Sequence, residues 1–355
     1  MSTRPRIYLD WNATAPLVDE ARAAIAEAAA EHGNPSSLHF EGRRARERVE
    51  RARGQVAALA GWPREKIVFT SGGTEANALG VMALVSAAEA RGLPKVIGTT
   101  KLEHPSLVGP IDELRTRGWQ VVAAGEEASV VALAVVNHEL GTIAEIRREP
   151  LVHVDAVQAA GKMDLSAIKA DSIALSAHKI GGPQGVGALA IGINDWRPVM
   201  GGHQERGRRP GTENVLGIVG FGAAAAAIDV ATWPRVRALG EKLEAGLVAL
   251  GARVHGADRP RIGGTINVAF PGALGESIVI ALDLEGVACS TGAACTSGSI
   301  EPSPVLLGLG YPPEQAREAV RFSLGRTTTA AEVDYVLEIL PAIVERARRY
   351  GKPRS

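Results

Sequence analysis

A lysine stands at the end of an apolar run and just before a glycine-rich turn. In "DSIALSAHKIGGPQGVGALAI" (residues 171–191), Ser176, His178 and Lys179 close the first apolar run, and Gly-Gly-Pro follows one residue later. Lysine is rarely buried without a role, and a desolvated lysine amine has a lowered pKa and bonds covalently to carbonyl compounds. The residues therefore suit a covalently held ligand. The alternative is that Lys179 only marks the exposed end of a strand.

Two other polar groups follow apolar, strand-like runs. Asp155 ends "LVHVD" (151–155) with Gln158 three residues later, and His104 lies in "TKLEHPSLVGP" (100–110). Ligands of α/β sheets bind at the carboxyl ends of strands, where a carboxylate suits a cationic partner such as a pyridinium nitrogen. An imidazole can stack on a flat ring and move protons. The plainer readings are a helix N-cap for Asp155 and an ordinary surface histidine for His104.

Two glycine-rich segments could bind an anion. In "FTSGGTEANALG" (69–80), Gly73 lets the backbone approach a ligand, and Thr74 offers a hydroxyl at a helix start, where phosphate binds well. A turn capped by Thr74 is the alternative. The loop "GGHQERGRRPGTENV" (201–215) carries Thr212 beside several arginines, and it is either an anion contact or a solvated loop.

Both cysteines lie in "GVACSTGAACTSGSIEPS" (286–303). Cys289 follows an apolar run and is expected to be a buried, inert thiol. Cys295 lies among small residues in a loop, so it is either a nucleophile or an incidental free thiol. Two cysteines this close make no disulfide framework, which favours a reducing compartment.

The elements that must position these residues follow an α/β pattern. Seven β-branched runs without alternation predict strands covered on both faces, with Ala-rich helices between some of them. The runs are 66–70, 95–100, 119–124, 130–136, 151–155, 171–175 and 186–192. We predict a large domain over residues 15–235 with a mostly parallel seven-stranded sheet. Residues 1–14 and 236–355 are expected to form a smaller α+β domain.

Composition excludes several classes of partner. The 355 residues include 39 basic and 39 acidic side chains, a balance without the basic footprint of a nucleic-acid or anionic-membrane binder. The N-terminal sequence has no apolar signal region, and no apolar stretch reaches spanning length. We expect a cytoplasmic protein with neither nucleic acid nor membrane as a partner, and no metal site is predicted.

In their order along the chain, these motifs resemble the cysteine desulfurases of the NifS/IscS type. Those enzymes depend on pyridoxal 5′-phosphate and have the aspartate-aminotransferase fold (fold type I). The resemblance covers nearly the whole chain: "YLDWNATAPL", "HGNPSSLHFEGRRAR", "FTSGGTEAN", "EHPSL", "HVDAVQAAGK", "SAHKIGGPQGVGAL", "GGHQERGRRPGTENV", "STGAACTSGSIEPS" and "RFSLGRTTT". It implies a homodimer that converts L-cysteine to L-alanine, leaves a persulfide on a cysteine, and passes the sulfur to an acceptor protein.

The resemblance also implies a role for each matching residue. Lys179 would carry the cofactor, Cys295 would be the nucleophile, and His104 would stack on the ring and move protons. The other matches are Asp155 at the pyridine nitrogen, Gln158 at the ring hydroxyl, Gly73, Thr74, Ser176 and His178 at the phosphate, Thr212 at the phosphate of the other subunit, and Asn12 and Arg321 at the substrate carboxylate.

The chain departs from the family pattern at a few points. His138 stands where an asparagine near the ring oxygen is expected, and two connections are short, one of them between Gly141 and Leu151. A selenocysteine lyase or aminotransferase on the same scaffold, or an inactive protein of this fold that serves in interactions, are the rival interpretations. The acceptor is left open among an iron–sulfur scaffold, a tRNA-thiolation protein and a nitrogenase-assembly protein.

Overall fold

The computed structural model of the chain describes residues 6–147, 149–194, 196, 201–291 and 301–350. The strands are β1 (Ile7–Tyr8), β2 (Ile67–Thr70), β3 (Val96–Thr99), β4 (Gln120–Ala123), β5 (Val130–Ala134), β6 (Val152–Asp155), β7 (Ser172–Ser176), β8 (Gly187–Ile191), β9 (Arg253–Val254), β10 (Thr265–Ala269), β11 (Val287–Ala288) and β12 (Ala319–Ser323). The α-helices are α1 (Asp19–Ala29), α2 (Phe40–Ala60), α3 (Gly73–Ala90), α4 (Pro105–Thr116), α5 (Val215–Ala226), α6 (Trp233–Ala249), α7 (Gly275–Leu284), α8 (Pro304–Gly308), α9 (Pro313–Ala316) and α10 (Ala330–Tyr350).

The chain divides into two compact units. The large unit comprises Thr14–Val136 and Ala144–Val230, and the small unit comprises Met1–Ala13, Asn137–Ile143 and Ala231–Ser355. The short segment Asn137–Ile143 therefore leaves the large unit between two strands of its sheet.

A seven-stranded sheet organises the large unit, in the order β2-β8-β7-β6-β5-β3-β4. Strand β8 pairs antiparallel with both of its neighbours, and every other pairing is parallel. The α/β class and the mostly parallel sheet predicted from sequence are confirmed. Because β3, β5, β6 and β7 are parallel, their carboxyl ends share one edge of the sheet, where ligands of such folds bind.

The sequences of the strands follow their positions in the sheet. Strands β2, β6, β7 and β8 are buried at every residue, which explains their continuous apolar runs. The edge strand β4 is exposed at both of its ends. Strands β5 and β6 pair in parallel, although the described residues between them form no helix.

Helix α3 packs its Val81, Leu84 and Val85 into a core with residues of the sheet and of α4. Full burial of such side chains contributes roughly 1.5–3 kcal/mol each. Gly80 faces a buried histidine, because a Cβ at this position would lie 2.3 Å from Cε1 of His153. Helix α3 can therefore approach β6 only because residue 80 has no side chain.

The small unit has its own core. Strands β12, β10 and β9 form an antiparallel sheet, and β1 pairs in parallel with β11. The core includes residues of α6, α7 and α10 together with Phe270 and Phe322. Sparse strand–helix alternation in the sequence is typical of such an α+β unit.

Among the described residues, no single helix is long and apolar enough to cross a membrane. Helix α5 and residues Val230–Ala249 reach the required length and composition only when they are taken together as a broken pair.

Substitution of Gly80 by alanine should destabilise the fold by about 1–3 kcal/mol, because the new methyl group displaces a buried histidine from its hydrogen bonds. Gly109→Ala in α4 is the control: its Cβ would meet nothing within 4 Å, so it should be neutral or stabilise by up to about 1 kcal/mol. Urea unfolding measures both changes. Equal stability of the two variants would contradict the proposed packing of α3 on β6.

Candidate functional site

Asp155 ends β6 and is only 6% exposed. Its Oδ2 accepts a hydrogen bond from Nδ2 of Asn77 at 2.7 Å, and its Oδ1 accepts one from the backbone N–H of Val157 at 2.9 Å. The side chain of Asp155 accepts its backbone hydrogen bond in a turn and not at the start of a helix, so the alternative interpretation of Asp155 as a helix N-cap is wrong. Burial raises the pKa of Asp155, while the hydrogen bonds and the charges of His104 and Lys179 oppose that rise.

A chain of hydrogen bonds holds Asn77 in place. Its Oδ1 lies 3.0 Å from Nε2 of His153, whose Nδ1 lies 2.8 Å from Oγ of Ser172. Burial lowers the pKa of His153 to about 3, so the imidazole is neutral at physiological pH. Because an amide oxygen only accepts, the proton of His153 is on Nε2, and the hydroxyl of Ser172 donates to Nδ1.

His104 is the N-cap of α4. Its Nδ1 accepts a hydrogen bond from the backbone N–H of Ser106 at 3.1 Å, so the neutral ring carries its proton on Nε2. Burial lowers the pKa of His104, the charge of Asp155 opposes this, and Lys179 lowers it further. Oγ of Ser106 lies 2.8 Å from the same Nδ1 and accepts from Nδ2 of Asn77 at 2.8 Å. Asn77 thus connects the histidine to Asp155.

Lys179 ends a short 3₁₀ turn, Ala177–Lys179, that begins directly after β7. Because β6 and β7 are parallel neighbours, Asp155 and Lys179 follow adjacent strand ends, and the charge of Lys179 lowers the pKa values of both Asp155 and His104. The neighbouring His178 is half-buried, and burial together with Lys179 lowers its pKa to about 4. Ser176 is the buried last residue of β7.

The N-terminus of α3 lies beside this group. A Cβ on Gly73 would lie 2.9 Å from Cγ2 of Val157 and 3.3 Å from Cβ of Ser176, so the missing side chain allows the helix to approach both. Thr74 is exposed and does not cap the helix: the N-cap is Gly72, without a side-chain hydrogen bond. The alternative interpretation, a helix capped by Thr74, is therefore wrong, and the hydroxyl of Thr74 is exposed at the helix start.

This donor set fits pyridoxal 5′-phosphate. It combines a lysine amine, a buried carboxylate whose charge a cationic ring nitrogen would compensate, an imidazole for the ring, and a helix N-terminus for the phosphate. Gln158 is buried in the turn after Asp155, and its Oε1 accepts from Nζ of Lys162 at 3.0 Å. All of these residues belong to the large unit.

A second group of predicted residues converges in the small unit. The backbone carbonyl of His138 accepts hydrogen bonds from Nδ2 of Asn12 at 3.0 Å and from Nη1 of Arg321 at 3.1 Å. Nη2 of Arg321 donates to Oδ1 of Asp10 at 2.8 Å. The imidazole of His138 lies 3.6 Å from Oε1 of Glu139.

The backbone of Arg321 pairs with Ser290 through N–H···O bonds of 2.6 and 3.1 Å. Ser290 follows Cys289, which is only partly buried, whereas the sequence predicted a buried residue. Burial nevertheless raises the pKa of the Cys289 thiol, and that makes it a poor nucleophile. Cys295 lies outside the described residues.

Sequence reasoning missed several residues of these groups, among them Asn77, Ser106 and Asp10. An asparagine in the apolar sequence of α3 and an aspartate after the apolar β1 were the available signals. Thr212 lies exposed in a loop of the large unit.

The fold and this donor set together define an α/β enzyme that depends on pyridoxal 5′-phosphate. Residues 7–336 match the aminotransferase class-V family, and the chain therefore belongs to that family. It is similar over 96% of its length to cysteine desulfurase 2 of Trichormus variabilis, with 39% identity and 94% of that protein covered. A cysteine desulfurase of Cereibacter sphaeroides is 40% identical, with 97% of each chain covered.

A solved structure described as a NifS-like protein is similar to the chain with a TM-score of 0.85 and 31% identity. The match covers 96% of this chain and 100% of that one. The predicted resemblance to NifS/IscS-type cysteine desulfurases, the cofactor and the enzyme class are confirmed.

A buried carboxyl that the sequence did not single out lies next to His104. Oε1 of Glu103 accepts from the hydroxyl of Thr100 at 2.6 Å, and Oε2 accepts from the backbone N–H of Ala134 at 2.8 Å. Burial raises the pKa of Glu103 to about 7, and the negative charge of Asp155 adds to that rise.

A raised carboxyl pKa favours the folded state below the unfolded pKa, near 4.5, and this advantage is lost as pH rises to about 7. Glu103→Gln should therefore lose less stability than the wild type between pH 4.5 and 7, by on the order of 1–3 kcal/mol. Urea unfolding of the cofactor-free protein across this range tests it. The exposed Glu113→Gln should keep the wild-type slope, and an unchanged slope for Glu103→Gln would contradict the burial argument.

Proposed function

We propose that the protein converts L-cysteine to L-alanine and retains the sulfur as a persulfide on Cys295. The grouping of Asp155, His104 and Lys179 at one edge of the sheet is the observation that carries this proposal. The full-length similarity to cysteine desulfurases supports it.

Each large-unit residue then has a chemical task. Pyridoxal phosphate, when bound, supplies an electron sink for the bonds of the substrate's α-carbon. Lys179 would hold the cofactor through Nζ, and its amine, when free, would accept a proton from the substrate. Asp155 would accept a hydrogen bond from the pyridine nitrogen, and Asn77 orients that carboxylate. Gly73, Thr74, Ser176 and His178 would bind the phosphate, and Gln158 would bind the ring hydroxyl.

His104 and Cys295 act on the sulfur and its proton. The proton on Nε2 of His104 is the one available for transfer, since Nδ1 is occupied by Ser106. The thiolate of Cys295 attacks the substrate sulfur, and an S–S bond forms as the C–S bond breaks. The electron pair of the broken bond goes to the carbon side, which takes up a proton and leaves as alanine.

Two small-unit residues bind the substrate carboxylate in this proposal. Arg321 offers a guanidinium and Asn12 an amide, and both are oriented by the carbonyl of His138. The side chain of His138 would donate to the ring oxygen of the cofactor, in place of the asparagine usual in the family.

Cys295→Ala should bind pyridoxal phosphate and still show an absorbance change on addition of L-cysteine. It should release almost no sulfide and carry no persulfide, as measured by mass spectrometry. Cys289→Ala is the matched control and should keep its turnover, with a loss of stability of about 1 kcal/mol.

Turnover of L-cysteine by Cys295→Ala at the wild-type rate would contradict the attack by this thiolate. Direct elimination of sulfide, or an aminotransferase reaction, would then explain the site better. Selenocysteine is a useful second substrate, because selenium leaves more easily and depends less on the thiolate.

We also propose that the protein is a homodimer in which Thr212 completes the phosphate site of the neighbouring subunit. Thr212 is exposed, as this role requires. Two large apolar side chains of the same unit, Leu38 and Phe40, are 86% and 59% exposed. An interface with a second copy would remove them from water.

Leu38→Asp should therefore weaken the dimer, because a carboxylate would have to be buried in the interface. Leu284→Asp is the control, since Leu284 is 79% exposed but lies on α7 of the small unit. Sedimentation velocity over a range of concentrations measures both. A fully active monomer, or equal weakening by the two substitutions, would contradict the assignment.

The sulfur acceptor is proposed to be a protein, for example an iron–sulfur scaffold, and a pull-down during cysteine turnover tests this. Tryptic mapping of the captured protein separates a scaffold from a tRNA-thiolation or nitrogenase-assembly protein. The cytoplasmic location stays a prediction from the cysteine content.

A further inference from the structure

The outer edge of the seven-stranded sheet is completed by side chains. Strand β2 pairs with β8 on one side only, so alternate backbone groups of β2 face outward. The carbonyl of Ile67 accepts from Nη1 of Arg53 at 3.0 Å, and the N–H of Phe69 donates to Oε2 of Glu205 at 3.0 Å. Arg53 and Glu205 thus take the place of a neighbouring strand.

Arg53 and Glu205 also form a buried, bidentate ion pair. Nη1 and Nη2 of Arg53 donate to Oε2 and Oε1 of Glu205 at 2.6 and 2.8 Å, and the two residues are only 4% and 6% exposed. The guanidinium lies over the ring of Phe69, 4.8 Å from its centroid. Such a pair has fixed geometry, because two parallel hydrogen bonds allow a single orientation.

The loop that supplies Glu205 has a strained backbone at this point. Glu205 and Arg206 have φ values of 49° and 58°, in the left-handed region that costs a residue with a side chain roughly 1–2 kcal/mol. Two consecutive strained residues persist only where their surroundings hold them. The ion pair and the hydrogen bond from Arg206 Nη1 to the carbonyl of Glu65, at 2.8 Å, are the contacts that do so.

The same loop is tied to the phosphate-binding turn. Strand β2 continues into that turn, and Nε of Arg209 donates to Oε1 of Glu75, the third residue of α3, at 3.1 Å. Oε2 of Glu75 accepts from the N–H of Ser71 in the turn itself. Thr212 lies three residues beyond Arg209, so one loop spans from the edge strand to the exposed threonine.

A purely structural role for the pair is the competing explanation. Replacement of buried ion pairs by apolar residues is often neutral or stabilising, so stability alone is a weak reason for this one. If the pair instead positions the loop, its removal must affect both the phosphate-binding turn and Thr212, which the loop connects.

We propose that the Arg53–Glu205 pair is a positioning device, which fixes the phosphate-binding turn and the Thr212 loop as one piece. This inference rests on the proposed homodimer with a shared phosphate site. Cofactor retention and subunit assembly then depend on the same two residues, neither of which touches the cofactor.

The double variant Arg53→Met/Glu205→Leu tests this, because it removes both charges and leaves none buried alone. Pyridoxal phosphate affinity is measured by fluorescence titration and the dimer by sedimentation. Both should weaken at least tenfold, while the far-ultraviolet circular dichroism of the cofactor-free protein stays near wild type. Its unfolding should stay cooperative at a lowered midpoint, because the carbonyl of Ile67 and the N–H of Phe69 lose their partners. The partly buried bidentate pair Arg261–Glu244 of the small unit, of similar geometry, gives the matched control Arg261→Met/Glu244→Leu, which should change neither affinity.

Unchanged cofactor affinity and dimerisation in the double variant would overturn the inference, and so would a double variant that fails to fold, since the pair would then serve the fold alone. The wild-type measurement tests the proposed function separately: a wild-type protein that is monomeric or binds no cofactor would contradict the proposed function itself. Glu205→Gln adds a second result: it leaves the charge of Arg53 buried without this counter-charge, so its losses should be at least as large as those of the double variant.

Discussion

The carboxylate of Asp155 is the constraint on which the rest of the site depends. It ends a strand inside the protein, where its charge is costly unless donors and a cation surround it. Asn77 and the N–H of Val157 supply the donors. The amide of Asn77 is in turn held by His153, and His153 fits only because residue 80 is glycine. A requirement at one carboxylate thus fixes how α3 packs on the sheet.

Local sequence patterns predicted much of this arrangement. Strands β2, β6, β7 and β8 have continuous apolar runs because both of their faces are buried, and Asp155, Lys179 and His104 stand at the end of a strand or a few residues after one. The cofactor and the reaction were predicted from the order of the motifs, which resembles that of known enzymes. Glycine-rich turns correctly indicated the start of α3, although Thr74 does not cap it.

Long-range partners could not be predicted from the same patterns. Asn77 and Asp155 are 78 positions apart, and Arg53 and Glu205 are 152 apart, so no local periodicity relates them. Each of these polar residues looks like a solvated side chain in its own segment, and only tertiary packing turns it into a buried partner. Glu103 is a further case, because its raised pKa comes from burial.

Burial moves the ionisable groups around the proposed cofactor site toward their neutral forms. It raises the pKa values of Asp155 and Glu103 and lowers those of His104 and His178. A ligand with a cationic ring nitrogen and an anionic phosphate reverses this at two of them, since it stabilises the charged forms of Asp155 and His178. Binding of such a ligand is therefore linked to proton exchange. Asp155 and His178 therefore become charged as the cofactor binds. A neutral analogue of the same shape would lack the binding energy that comes from its attraction to these two charges.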